Sequence, residues 1–383
     1  MINLLLMAGL AIGGLLHPNP AMGEKRYQAL DGMRGLCALF VATFHFDMLL
    51  NTGHLLNHGW LSVDIFFVLS GFVIALVYED RLKAGMGTRS FLAARARRLV
   101  PTQVVGTLIV GLTYFVLLWA GRLKAPAVTE PILLIALVWG LFLIPITYSP
   151  FTRLFTSWDT TYPINSPLWS LNGEWVINII YGRWLYPARS ATLLCLFAIS
   201  AAYLLYMAFL ANGWPELLKI LPDIARACAG FIAGVVICRI NKADGLRRLP
   251  KIGPMILYAV WFFICAIPLR HMLPIYETSV TLIGAPLLIA LLVRNERPVP
   301  KIFSFLGRLS YPLYVSHWAI MNIFILWLQP AHRHSPLLLA PMLILALALA
   351  WLLERAVLGI TEAGHFVNRV GLASRQVKDL SRL

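Results

Sequence analysis

The chain has 383 residues, 59% of them hydrophobic and only 13% charged, with a mean hydropathy of +0.76. A soluble protein carries about 25% charged residues, so this balance excludes a soluble enzyme, a disordered scaffold, a coiled coil and a secreted disulfide protein, and makes the bilayer the solvent for most of the chain. Lys and Arg number 32 against 17 Asp and Glu, a formal charge of +15; because the cations fall between apolar blocks, they fit the positive-inside rule and contact with anionic membrane lipid, and no nucleic acid partner is expected.

The chain opens MINLLLMAGLAIGGLL, apolar but without the basic stretch of a secretory signal. Residues 1–23 are therefore set apart as an N-terminal extension with no assigned role. Blocks approaching the roughly 20 residues needed to cross a bilayer follow near 29–49, 60–79, 101–121, 131–148, 168–187, 191–211, 220–239, 254–273, 276–294, 305–328 and 336–356. All are expected to be helical, since a lipid-exposed backbone must satisfy its own polar groups. A membrane domain over 24–357 and a polar cytoplasmic tail over 358–383 complete the division.

Orientation follows from the short connections. Arg81–Arg98, Arg239–Lys251, Arg294–Lys301 and the tail concentrate Lys and Arg and are expected in the cytoplasm. The stretch 51–59 contains neither and is expected outside. An even number of crossings must then join Arg98 to Arg239, yet five blocks lie between them. Block 168–187 is the most polar, with Asn172, Glu174, Asn178 and Arg183, and is the first candidate for a re-entrant or half-inserted helix, with the identity of the odd block left open. The predicted fold is an all-α polytopic membrane protein, one bundle of about ten transmembrane helices. The five cysteines lie in or beside apolar segments without metal-ligand spacing, so neither a disulfide framework nor a metal site is expected.

Ionisable residues inside spans are expensive and mark function. Arg34 and His45 lie 11 residues apart in the first span, about three turns and roughly 16 Å, and so share a face. Gly35, Ala38 and Ala42 lie between them as a thin groove. In the second span Asp64 sits about as far below the outer boundary as His45, a depth from which a carboxylate would orient the imidazole. Arg95 and Arg98 share a helix face at the cytoplasmic edge, and guanidinium forks suit phosphate. Trp169 and Glu174 stand at the mouth of the polar block, and His317 is a second histidine within a span.

Together these stretches resemble the membrane-bound acyltransferase-3 family. The resemblance rests on Leu30-Asp31-Gly32-Met33-Arg34-Gly35 followed by His45, then Val63-Asp64-Ile65-Phe66-Phe67-Val68-Leu69-Ser70-Gly71-Phe72, then Arg95-x-x-Arg98 before Pro101. It continues with Leu168-Trp169-Ser170-Leu171 and Glu174, and ends at Leu306-Gly307-Arg308-Leu309-Ser310-Tyr311-Pro312-Leu313-Tyr314 with His317-Trp318. The blocks stand in family order over roughly Arg26–Arg355. Two departures are Ala356 where the family often has proline after Glu-Arg, and Asn172-Gly173 where many relatives carry Ser-Val.

The resemblance implies transfer of an acyl group, most often acetyl, from cytoplasmic acyl-CoA to a hydroxyl of an extracytoplasmic carbohydrate or glycolipid, at a bacterial inner membrane with the C-terminus cytoplasmic. His45 would be the catalytic residue, with Asp64 beside it. Arg34, Arg95 and Arg98 would bind the donor, and Glu174, Trp169 and His317 the substrate. No metal is implied, and oligomeric state is left open. The rival reading is a proton-coupled transporter or flippase with His45, Asp64 and Glu174 as a relay; no internal two-fold pattern supports it.

Overall fold

The computed structural model describes residues 27–52, 55–123, 128–146, 161–209, 220–269, 273–295, 297–328 and 335–380, with side chains up to 359. The extension 1–23 and the side chains of most of the tail lie outside the described residues. Among these residues every regular element is helical. In chain order they are α1 (Gln28–Leu50), α2 (Ser62–Lys83), α3 (Thr88–Trp119), α4 (Glu130–Leu141), α5 (Leu168–Ile180), α6 (Ser190–Phe209), α7 (Leu221–Lys242), α8 (Pro254–Ala266), α9 (Leu273–Ser279), α10 (Ala285–Arg294), α11 (Lys301–Trp327) and α12 (Leu339–Leu380). A π-turn, Val280–Gly284, joins α9 and α10 into one rod. Among the described residues eight helices are long and apolar enough to cross a membrane, and α4 and α8 are shorter apolar helices. The chain is a polytopic helical membrane protein.

Close backbone contacts hold the bundle together. α1 runs alongside α11, and α2 alongside α7. A Cβ on Gly35 would stand 2.5 Å from the Leu306 carbonyl carbon, and one on Gly307 would stand 2.5 Å from the Asp31 oxygen. At the second contact, Gly71 faces the Phe231 carbonyl and Gly234 the Val68 carbonyl. Such small-residue seams substitute van der Waals contact for the hydrophobic drive that helices lack in lipid. The Gly35–Ala38–Ala42 face is therefore not a groove. Gly35 is closed by α11, and Ala38 and Ala42 are fully buried in apolar packing.

The basic connections gather at one end of the bundle. Lys242 pairs with Asp80 (2.7 Å) and Arg239 with Glu79 (3.1 Å), which joins the last turns of α7 and α2. Asn241 donates to the Tyr27 hydroxyl at the foot of α1 (3.3 Å), and Asn295, just past α10, donates to the Ile252 carbonyl just before α8 (2.7 Å).

The stretch behind the parity conflict holds two short helices. α4 begins beside the far end of α3, where Trp119 donates to Glu130 (2.7 Å). It ends at mid-depth, where Gln103 of α3 donates to the carbonyls of Gly140 and Leu141 (3.2 and 3.3 Å). α5 starts at a similar depth, its Ser170 bonded to Tyr314 of α11 (2.7 Å). A π-turn over Tyr181–Leu185 then carries the chain to the basic end, where Thr88 donates to the Gly182 carbonyl (2.7 Å). Block 168–187 thus runs from mid-depth to the basic end, as the half-inserted alternative has it, and α4 covers the depth between the far end of α3 and mid-depth.

A second expectation fails at the outer connection. α1 stops at Asn51, whose φ of 50° is left-handed and whose N–H bonds back to the Asp47 carbonyl. Residues 55–59 then lie inward, with Gly59 packed on Phe40 and Phe44 of α1. α2 therefore begins below the level of His45, and Asp64 lies deeper still.

Candidate active site

A cavity of about 380 Å³ opens between α1, α2, α3, α5, α11 and α12. Arg34, Arg95, Arg97, Arg98 and Arg308 line its basic-end portion, with Asp31, Glu174 and Glu354 as the acidic members. Its walls beyond these are mainly apolar, and Phe66 and Tyr314 close it inward.

The arginines differ in their freedom. Arg34 donates from Nε to Ser310 Oγ (2.9 Å) and from Nη2 to the Gly307 carbonyl (2.8 Å), with Asp31 at 3.3 Å, so it ties α1 to α11 while facing the cavity. Arg95 is 5% exposed and donates from Nη2 to Glu174 Oε1 (2.7 Å), which also accepts from Ser70 (2.9 Å). Its Nε is buried with no protein partner. Arg98, one turn on, is exposed at the cavity rim. The Arg95/Arg98 pair thus offers one guanidinium fixed by a carboxylate and one reaching solvent. Glu174 belongs to this wall, at the donor end of the predicted arrangement.

Past Tyr314 lies a histidine pair. His45 Nδ1 stands 3.0 Å from His317 Nε2, and His317 Nδ1 stands 3.0 Å from the Leu313 carbonyl. The rings are inclined by only 16° with centroids 5.1 Å apart, so the contact runs edge to edge in nearly a shared plane. His317 is fully buried, whereas His45 is half-buried. Trp318 stands edge-on to His45 (5.1 Å), and Tyr314 reaches within 6.3 Å of the His317 ring. The cavity's closed end is therefore one aromatic ring from the pair.

Asp64 is not the partner of His45. It accepts from Arg226 Nε and Nη2 (2.6 and 2.7 Å) and from Thr281 (2.9 Å), in a bidentate pair between α2 and α7. The physical reason is the inward course of residues 55–61, which sets α2 deeper than its sequence boundary implies. Trp169 lies against Phe67 and 5.6 Å from the Arg226 guanidinium, so it belongs to this cluster as well. Arg226 is the residue that the motifs do not single out; its signal was a charge inside the apolar block 220–239, three residues after Asp223. Arg97 and Arg308 are likewise additional cavity residues. Among the described residues no group of three or more His, Cys, Asp or Glu is placed to hold a metal ion.

A membrane bundle with an arginine-lined cavity leading toward an imidazole pair has the makings of an integral membrane enzyme. A family model described as an acyltransferase domain, Acyl_transf_3, matches residues 27–355. The chain belongs to this family and is an acyltransferase of the kind that transfers groups other than aminoacyl groups. It is 35% identical over 191 residues to Protein 2 in picA locus of Rhizobium radiobacter, covering 48% of this chain and 95% of that protein. It is 24% identical over 335 residues to Acyltransferase MdmB of Streptomyces mycarofaciens, covering 78% and 79%. Against YrhL of Bacillus subtilis, named as a candidate peptidoglycan O-acetyltransferase, identity is 26% over 201 residues, 49% of this chain but only 29% of that protein. No solved structure matches the chain.

Proposed function

We propose that the enzyme moves a short acyl group, acetyl in the first instance, from cytoplasmic acyl-CoA to a hydroxyl of an extracytoplasmic or lipid-linked carbohydrate, with His45 as general base. The observation that carries this reading is the cavity. Its charged portion lies at the end of the bundle that bears the basic connections, which the positive-inside rule puts in the cytoplasm. Coenzyme A has its phosphates at one end and its thioester at the end of a long, thin arm. Arg95 and Arg98, with Arg34 beside them, receive the phosphates as charge-assisted contacts. The arm lies along the apolar wall toward Phe66 and Tyr314, and His45 takes the acceptor's proton as its oxygen attacks the thioester carbonyl.

The chain makes ten crossings in this reading, counting α4 and α5 as one, with both described ends cytoplasmic in a bacterial inner membrane. The acceptor class draws support from the printed name of the Bacillus relative. The relay of a transporter has little to support it: His45, Asp64 and Glu174 are each bonded to a different partner, namely His317, Arg226 and Arg95.

The test is steady-state kinetics on purified Arg95→Lys/Arg98→Lys enzyme, varying donor and acceptor in turn. Lysine keeps the charge but not the planar fork. A charged hydrogen bond contributes about 1.5–3 kcal/mol, so the apparent donor constant should rise roughly tenfold or more while acceptor dependence stays near wild type. Unchanged donor saturation in a normally inserted protein would remove the phosphate-binding role.

A further inference from the structure

We propose that His317 is a positioning residue that fixes the tautomer of His45, in the place a carboxylate holds in a Ser-His-Asp arrangement. The inference rests on the reading of His45 as the base and goes beyond it by assigning each ring nitrogen.

The bonding pattern leaves one neutral arrangement. His317 Nδ1 faces the Leu313 carbonyl at 3.0 Å, and a carbonyl oxygen only accepts, so this nitrogen carries the hydrogen. A neutral imidazole has a single N–H, so His317 Nε2 holds a lone pair. That lone pair stands 3.0 Å from His45 Nδ1, which must therefore donate. The second nitrogen of His45, Nε2, is thereby left unprotonated and able to take a proton. Were the arrangement reversed, with an N–H on His317 Nε2, His45 Nε2 would carry hydrogen and could not act as a base.

Helix geometry secures this chain. The Leu313 carbonyl lies four residues before His317 on α11, so helix packing alone holds the imidazole at its distance. Pro312 sits inside α11, and the Ser316 hydroxyl donates to its carbonyl (2.8 Å), while the His317 ring takes the next carbonyl, that of Leu313. Trp318, Phe46 and Tyr314 surround the two rings and restrict their rotation.

The reaction balances on His45 alone. Its Nε2 takes the hydroxyl proton as the acceptor oxygen bonds to the thioester carbonyl carbon. The carbon–sulfur bond then breaks, and the coenzyme thiolate takes the proton back from Nε2. His317 touches no reacting atom. It accepts from Nδ1 throughout and stabilises the imidazolium that forms between the two steps.

The test joins kinetics to nitrogen-15 spectra of histidine-labelled enzyme in detergent, with the His45 signals assigned by their loss in His45→Gln. In the wild type at neutral pH, His45 should show a protonated Nδ1 and a bare Nε2. His317→Leu should invert that pattern and lower kcat about 100-fold or more, within the range general-base catalysis contributes, while the donor KM changes less than about twofold. His317→Gln, whose amide oxygen falls near the position of Nε2, should restore kcat to within about tenfold of wild type. A wild-type spectrum with hydrogen on His45 Nε2, or a folded His317→Leu enzyme with normal kcat, overturns the proposal. The wild-type spectrum decides even where His317→Leu fails to fold. Failure of the underlying reading is distinct, because it appears as transfer retained in His45→Ala whatever the tautomer.

Discussion

At Asp64, both carboxylate oxygens are engaged by Arg226, whose guanidinium also lies 4.4 Å from the Trp60 ring. Asp64 is 1% exposed and the Arg226 side chain 14%, so neutralising one partner strands the other. Removing one member of such a pair costs about 3–5 kcal/mol, while replacing both with apolar residues is often neutral. Asp64→Asn should therefore lower the thermal midpoint in detergent sharply, and Asp64→Leu combined with Arg226→Met should recover most of it. His45→Ala should do the reverse, keeping the midpoint within a few degrees and abolishing transfer. If Asp64→Asn is as stable as wild type, the pair does not hold α2 to α7. His45 was legible from its place in an apolar run and its spacing from Arg34. Its partner was not, because the depth of Asp64 was counted from a connection that folds back into the bundle.

Pairs of helices set the next scale. The three small residues on α1 that read as an open path are all closed off by neighbours; spacing alone does not say whether a neighbour fills the gap. The same rule makes the α2–α7 contact sensitive. A methyl group at Gly234 has the Val68 carbonyl and the Phe72 nitrogen in its way, whereas Gly87, at the start of α3, has open space around it. Overpacking of this kind costs about 1–3 kcal/mol. Gly234→Ala should lower stability by that amount and Gly87→Ala by almost nothing, read from paired thermal unfolding curves. Equal stability of the two variants would mean the helices slide apart at no cost. The odd block between Arg98 and Arg239 was visible from charge parity. That two short helices share one crossing was not, because an apolar window over 131–148 hides the point at mid-depth where α4 ends.

Among the described residues the basic connections gather at one end of the molecule, and the proposed donor role of the cavity requires that end to face the cytoplasm. Lys242–Asp80, Arg239–Glu79 and Asn295–Ile252 tie three basic connections to a single end. In a cysteine-free background, a single cysteine at position 89 or 247 should resist an impermeant reagent applied to intact cells. One at position 55, where Leu55 is 55% exposed near the opposite end, should react. Labelling at 89 or 247 would reverse the orientation and move the donor cavity to the wrong compartment.

The divided crossing has a consequence for biosynthesis. A 12-residue helix such as α4 is only about 18 Å long, short of a bilayer core of roughly 30 Å, so the insertion machinery cannot place α4 as an independent segment. The carbonyls around its end are met by side chains from elsewhere: Gln103 serves Gly140 and Leu141, and Tyr162 and Asn172 both serve Leu143. The start of α5 depends in turn on Tyr314, whose hydroxyl bonds to Ser170 and to the Pro167 carbonyl. Those last partners are translated well over a hundred residues later. Ribosome-bound chains arrested before α11 should therefore leave 161–185 open to protease, and protection should arrive only when Tyr314 has emerged. The cavity is thus completed only late in synthesis, since α11 and α12 both line it.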